Sequence, residues 1–236
     1  MLKKERCLSQ IFLLVFISIV LIPISSGFAF AQTVILNQAP DQVNGYVSDF
    51  DAPQSIADNF VVSSTANVTQ IRIWGFYAYT GTAPATDNFT VIFHADSAGL
   101  PGTSISTQTN VPVIRQVTGG TVIGYTEYVY TLTLATPVNL SPGTYWVEIY
   151  DDTSADTDDN FYWELGTVDS TNGIPNSALA TTTPGSGWIT AQVDFAIEIT
   201  KENVAVPTMN EWGMVLFILL AGTGAVYSLR RQKAKV

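Results

Sequence analysis

The chain has 236 residues and a formal net charge of −10, with ten Lys and Arg against twenty Asp and Glu. So acidic a balance repels the phosphates of nucleic acid and of anionic lipid, and neither is expected as a partner. A single cysteine cannot close a disulfide within the chain, which excludes a disulfide-stapled scaffold.

Residues 1–31 read as a secretory signal peptide, helical in its apolar part. Lys3, Lys4 and Arg6 form a basic start and residues 11–22 an apolar run. Ala29-Phe30-Ala31 is a small-x-small cleavage site. Export through the Sec machinery and cleavage by signal peptidase between Ala31 and Gln32 are expected. An uncleaved signal anchor is the alternative. Cys7 has no small-residue cleavage site beside it, so it is not read as a lipoprotein cysteine. The segment that follows contains no thiol.

Residues 32–205 number 174, enough for one domain with a sizeable core. Only Arg72, Arg115 and Lys201 stand there against eighteen Asp and Glu, a net charge near −15. Residues 32–51 are polar and turn-rich, with Asn37, Pro40, Asn44 and Gly45. Strand signals begin at 56–62. Residues 68–79 alternate with period two: Ile71, Ile73 and Tyr77 point one way, Arg72, Trp74 and Phe76 the other. Aromatics on both faces predict a central strand, with a kink at Gly75. Residues 89–94 turn Phe89, Val91 and Phe93 toward the core, and 95–102 form a turn. Residues 104–109 and 111–117 are weaker, polar strands near an edge. Residues 125–134 place Tyr128, Tyr130, Leu132 and Leu134 on one face. Strands follow at 144–150 and 161–165. Residues 171–187 are loop-like apart from a short strand at 178–181, and 193–200 closes the domain. Nine or ten short strands with Gly and Pro turns predict an all-β fold, an antiparallel two-sheet sandwich of jelly-roll type.

Several short patterns punctuate this body: Ala57-Asp58-Asn59-Phe60, Trp74-Gly75, Phe89-Thr90-Val91, residues 96–102 (DSAGLPG) and Pro142-Gly143-Thr144-Tyr145-Trp146. Together they resemble a class of bacterial surface domains of unknown function. The matches are turns and core positions, so the resemblance implies the sandwich and brings no activity.

Two features of the body suggest binding. Residues 151–160 carry five carboxylates in ten positions. Their repulsion, about 1 kcal/mol per pair at 4 Å in water, would be relieved by Ca²⁺, a hard cation that takes six to eight oxygens. Asp151, Asp152, Asp156, Asp158 and Asn160 are the candidate ligands. The Gly and Glu of an EF-hand are missing, and a solvated acidic loop is the simpler reading. The second feature is aromatic: Tyr150 and Trp163 flank the acidic loop and are the expected exposed contacts for a glycan. Catalysis has little support. His94 is the only histidine, no serine elbow accompanies it, and Glu127, Glu148, Glu164 and Glu198 read as solvent-facing. The chain is expected not to be an enzyme.

Residues 206–236 form a third segment. The apolar run 212–229 is 18 residues without a charge, about 27 Å as a helix, enough to cross a hydrocarbon core. Arg230, Arg231, Lys233 and Lys235 follow it and stop transfer, placing the tail in the cytoplasm and the body outside. Before the span stand Val206, Pro207, Thr208, Met209, Asn210, Glu211, Trp212 and Gly213. These resemble the IPTL-CTERM sorting signal, close to Ile-Pro-Thr-Leu-x-Glu-Trp-Gly. Pro207, Thr208, Glu211, Trp212 and Gly213 match directly, while Val206 and Met209 are conservative departures. The resemblance implies an exosortase-type membrane peptidase as partner, removal of the helix, and release or anchoring of the body at a bacterial cell surface. The body is then a structural or interaction protein. The alternative is a carbohydrate-binding module, with Ca²⁺ assisting.

Overall fold

Fourteen strands form two sheets among the described residues, with every strand–strand pairing antiparallel. The computed structural model describes residues 32–79, 83–155, 159–183, 186–202 and 209–233. The predicted signal peptide, 1–31, and Val206, Pro207 and Thr208 of the predicted sorting motif lie outside them.

The eight-stranded sheet contains β1 (Gln32–Gln38), β2 (Pro40–Val47), β4 (Ala66–Tyr79), β7 (Val113–Val122), β8 (Tyr125–Leu140), β10 (Asp159–Gly166), β13 (Asp194–Phe195) and β14 (Ile197–Glu202). The six-stranded sheet runs β12 (Ser186–Ala191), β11 (Ser177–Thr183), β3 (Ser55–Val62), β9 (Gly143–Tyr150), β5 (Thr90–Asp96) and β6 (Pro101–Gln108). The predicted strands are present, and the central position of β4 holds. One edge of β4 pairs with β8, the other with β14 and then β10.

Ile71, Ile73, Tyr130, Leu132 and Phe161 of the larger sheet share one core with Phe60, Val91, Phe93, Val147 and Ile149 of the smaller. Phe89 joins them, edge-on to Tyr130 at 5.1 Å and to Phe161 at 5.0 Å. Asp58 crosses between the layers. It accepts Gln38 Nε2 and the Phe195 amide, each at 2.8 Å, and the Asn59 amide at 2.7 Å.

Residues 32–51 depart from their reading as a turn-rich stretch. They supply β1, which pairs with β14 from Gln32 opposite Glu202 to Gln38 opposite Ile197, and β2, which pairs with β10. Both strands are largely exposed, so backbone pairing makes them rather than apolar alternation. Residues 41–44 bulge out of register between Gly45, opposite Glu164, and Pro40, opposite Gly166. Strand β12 is likewise unforeseen: its first two residues fall in the stretch read as loop-like, and 188–191 have no assignment.

Helix α1 (Met209–Lys233) covers the predicted span and starts two residues after Pro207. Phe217, Ile218, Leu219 and Leu220 are all more than half exposed. Four consecutive positions circle the helix, so its apolar side chains face every direction. Among the described residues no helix is long and apolar enough to cross a membrane. The side chains of 212–216, 228 and 229, at the two ends of the predicted span, are outside that set.

Gly75 lies in β4 where β10 comes closest. A Cβ there would sit 2.4 Å from the Tyr162 carbonyl oxygen and 2.6 Å from the Phe161 ring. Close approach, rather than a positive φ, is the reason for glycine. At Gly143 the nearest neighbour would be 3.5 Å away. Gly75→Ala is therefore expected to lower the unfolding free energy by about 2 kcal/mol in urea titration. Gly143→Ala should stay within about 0.5 kcal/mol of the parent.

Candidate functional site

Strands β3, β9 and β5 lie side by side, so their outward residues form rows across the six-stranded sheet. Inward positions such as Ile56, Phe60, Val91, Val147 and Ile149 fill the core. The outward positions present Ser55, Ala57 and Asn59 on β3, Thr144, Trp146 and Glu148 on β9, and His94 and Asp96 on β5.

The first row is a buried relay. Glu148 Oε1 accepts Ser55 Oγ at 2.6 Å, and Glu148 Oε2 lies 2.9 Å from His94 Nε2. His94 Nδ1 lies 3.2 Å from the Gly102 carbonyl, which can only accept, so Nδ1 carries a proton. Trp188 packs edge-on to the imidazole at 5.9 Å. Ser55 and Glu148 are wholly buried and His94 is 4% exposed. The carboxylate stands between hydroxyl and imidazole, so His94 cannot take the serine proton directly. The row is a structural hydrogen-bonded cluster rather than a nucleophile and its base.

The second row is open. Asn59 and Trp146 are directly paired across β3 and β9. Trp146 Nε1 donates to Asp96 Oδ1 at 2.8 Å, which fixes the indole. Asn59 Nδ2 donates to the Asn176 carbonyl at 2.7 Å. Above them lies a cavity of about 170 Å³, closed on one side by Ile174, Pro175 and Asn176.

The outer face of the eight-stranded sheet carries a carboxyl pair, Glu127 and Glu164. Glu164 Oε1 accepts the Gln42 amide at 2.8 Å, delivered by the 41–44 bulge. Gln42 Nε2 reaches the Glu127 carboxylate at 3.2 Å, and Thr118 Oγ also donates to it. Burial, and then the charge of Glu127, push the Glu164 carboxyl up to about 8. The reading of these glutamates as solvent-facing is overturned: Glu127 is 1% exposed, Glu148 and Glu164 not at all. Each alternates as a surface residue should, but loops and the 41–44 bulge cover the sheet faces. Glu198 remains half-buried and pairs with Arg72 at 3.4 Å.

The predicted binding residues separate. Asp151 is buried: Oδ2 accepts the Tyr77 hydroxyl at 2.7 Å, and Oδ1 accepts the amides of Asn88 at 2.7 Å and Asp152 at 3.0 Å. Asp152 is half-buried and accepts both the amide and hydroxyl of Ser154. Asn160 lies in β10 opposite Ala78. Asp156 and Asp158 lie outside the described residues. Among those described, no group of three or more His, Cys, Asp or Glu could hold a metal ion. Trp163 is not an exposed ligand contact. Its ring is wholly buried, 5.2 Å from Phe195, and its Nε1 donates to the Ala196 carbonyl. It shares the inward parity of Phe161 along β10. Tyr150 is half-buried and stacks on the exposed Phe50 at 6.3 Å.

Compared with known proteins, the chain matches no protein-family model and no curated protein.

Two measurements follow from these clusters. His94→Ala leaves Glu148 buried without its partner and should cost about 3 kcal/mol on urea unfolding. Arg72→Ala, at a partly exposed pair, should cost less than about 1 kcal/mol. For Glu164 the sign is set by its raised value. In strong acid both states hold the proton. As pH rises toward about 8 the unfolded chain loses it and the folded chain keeps it, so stability falls and then levels. Asp58 and Asp151, pushed by burial to about 7 and about 6, add the same slope. Melting temperatures should therefore fall from pH 5 to pH 9, and fall less in Glu164→Gln. Parallel curves would refute the assignment to Glu164.

Proposed function

We propose that the chain is an exported bacterial surface protein whose body, a jelly-roll-like sandwich, is delivered by two disposable termini. The signal peptide opens export. The segment 206–236 holds the precursor in the membrane until an exosortase-type peptidase recognises Val206 to Gly213 and removes the helix. The body then serves at the cell surface, or outside it, in a structural or interaction role rather than a catalytic one. Its acidic character argues against nucleic acid as a partner.

The observation that carries this reading is the pairing of the body's two ends. Gln32 and Glu202, the first and last of the body's described residues, are paired neighbours across β1 and β14, so cuts outside them leave every described strand whole. The apolar side chains exposed all round α1 give a second support, since such a helix suits lipid rather than water. Arg230, Arg231 and Lys233 at its end suit the cytoplasmic side.

Mass spectrometry of the protein recovered from the cell surface tests this. The expected form begins at Gln32 and lacks 212–229. Pro207→Ala combined with Glu211→Ala should leave most of the chain as uncut precursor in the membrane. Intact 212–229 in the surface form would sink the sorting proposal.

A further inference from the structure

We propose that Tyr79 and Tyr162 form an oxidative cross-linking site, at which a peroxidase-type one-electron oxidant joins the two rings as dityrosine. The two hydroxyl oxygens lie 3.1 Å apart and the ring centroids 6.4 Å, although the residues are 83 positions apart in the chain. Pairing of β4 with β10 brings them to one place, with Tyr79 opposite Asp159 and Phe76 opposite Tyr162. Alternation gives Tyr79 the inward parity of Tyr77. Its φ of 101° breaks the strand geometry, and its ring meets Tyr162 on the outer face. A side chain held at positive φ is strained, and here the strain places a phenol.

Exposure and neighbours select this pair. Tyr79 is 66% exposed, so an oxidant reaches it, and Tyr162 is half-buried beside it. Phe76 lies between Tyr125 and Tyr162, stacked on them at 5.7 and 5.2 Å, and keeps those two phenols apart. Tyr77, Tyr128 and Tyr130 also lie ring to ring, but every such pair includes Tyr77 or Tyr130, 2% and 0% exposed. The chemistry closes with one peroxide. Each phenol gives up one electron and its hydroxyl proton. The two radicals couple through the ring carbons beside oxygen, and the hydrogens on those carbons move to the oxygens. One C–C bond replaces two C–H bonds, while hydrogen peroxide takes the two electrons and two protons and becomes two waters. The body contains no thiol, so this bond takes the place of a disulfide and ties the end of β4 to β10. Linking residues 83 positions apart restricts the unfolded chain whichever atoms make the link.

The test treats the full chain in detergent with a haem peroxidase and an equimolar amount of hydrogen peroxide. A Tyr227→Phe background keeps the exposed phenol of α1 out of the reaction. The expected product is a monomer lighter by two hydrogens, whose digest contains a peptide with Tyr79 joined to one with Tyr162. Its melting temperature should rise by roughly 5–15 °C, the order that closing a loop of this length gives in a domain of this size. Tyr79→Phe should remove both the link and the rise, while the untreated variant melts with the parent. The proposal is overturned if no dityrosine forms, if the links join different molecules or other tyrosines, if Tyr79→Phe leaves the linked product in place, or if the linked monomer melts no higher than the unlinked one. The result is independent of the sorting proposal, since it needs only the folded body.

Discussion

Strand β4 has both edges occupied over most of its length, and the rest of the body takes its register from that fact. One edge is held by β8 from Ala66 to Gly75. The other is shared, β14 taking 68–73 and β10 taking 75–79. A slip of one residue would turn Ile71, Ile73 and Tyr77 out of the core and Arg72 into it. Gly75 sits where β14 gives way to β10, and the close backbone approach there leaves no room for a side chain.

A body without disulfides must fix its layers by other means. Aromatic packing around Phe89, Tyr130 and Phe161 supplies apolar contact between the sheets, and Asp58 supplies direction. A buried carboxylate with three N–H donors is satisfied in one arrangement only, so it specifies how β3 lies against β1 and β13 even where its net stabilisation is small. The His94–Glu148–Ser55 row does the same within the smaller sheet.

The fold was legible where burial is one-sided. Alternation in β4, β5 and β8 gave inward faces that the core reproduces, because each of those strands meets the shared core on one side. It misled where a second cover lies outside the sheet. Glu127, Glu148 and Glu164 occupy outward positions, and nothing local in the sequence announces the loops and the bulge above them. Trp163 was readable from its parity with Phe161, but its nearness to the acidic loop pointed the other way. β1 and β2 left no apolar signature because their partners are backbone groups. The candidate cavity was the least visible feature. Its only trace is a pair of polar residues, Asp58 and Asn59, inside an otherwise apolar run, and their opposite directions are not evident until β9 is placed beside β3.

The pairing of β1 with β14 also sets a timetable. Residues 32–38 emerge first of the body's described strands, yet their strand partner lies some 160 positions later, at 197–202. Until then β1 has no strand partner among the described residues, and loop closure over that distance is slow. The larger sheet is therefore complete only when residue 202 has emerged, just ahead of α1. A sheet arranged in this way closes only with its last strand, so an incomplete chain and a complete one differ in whether β14 has found β1.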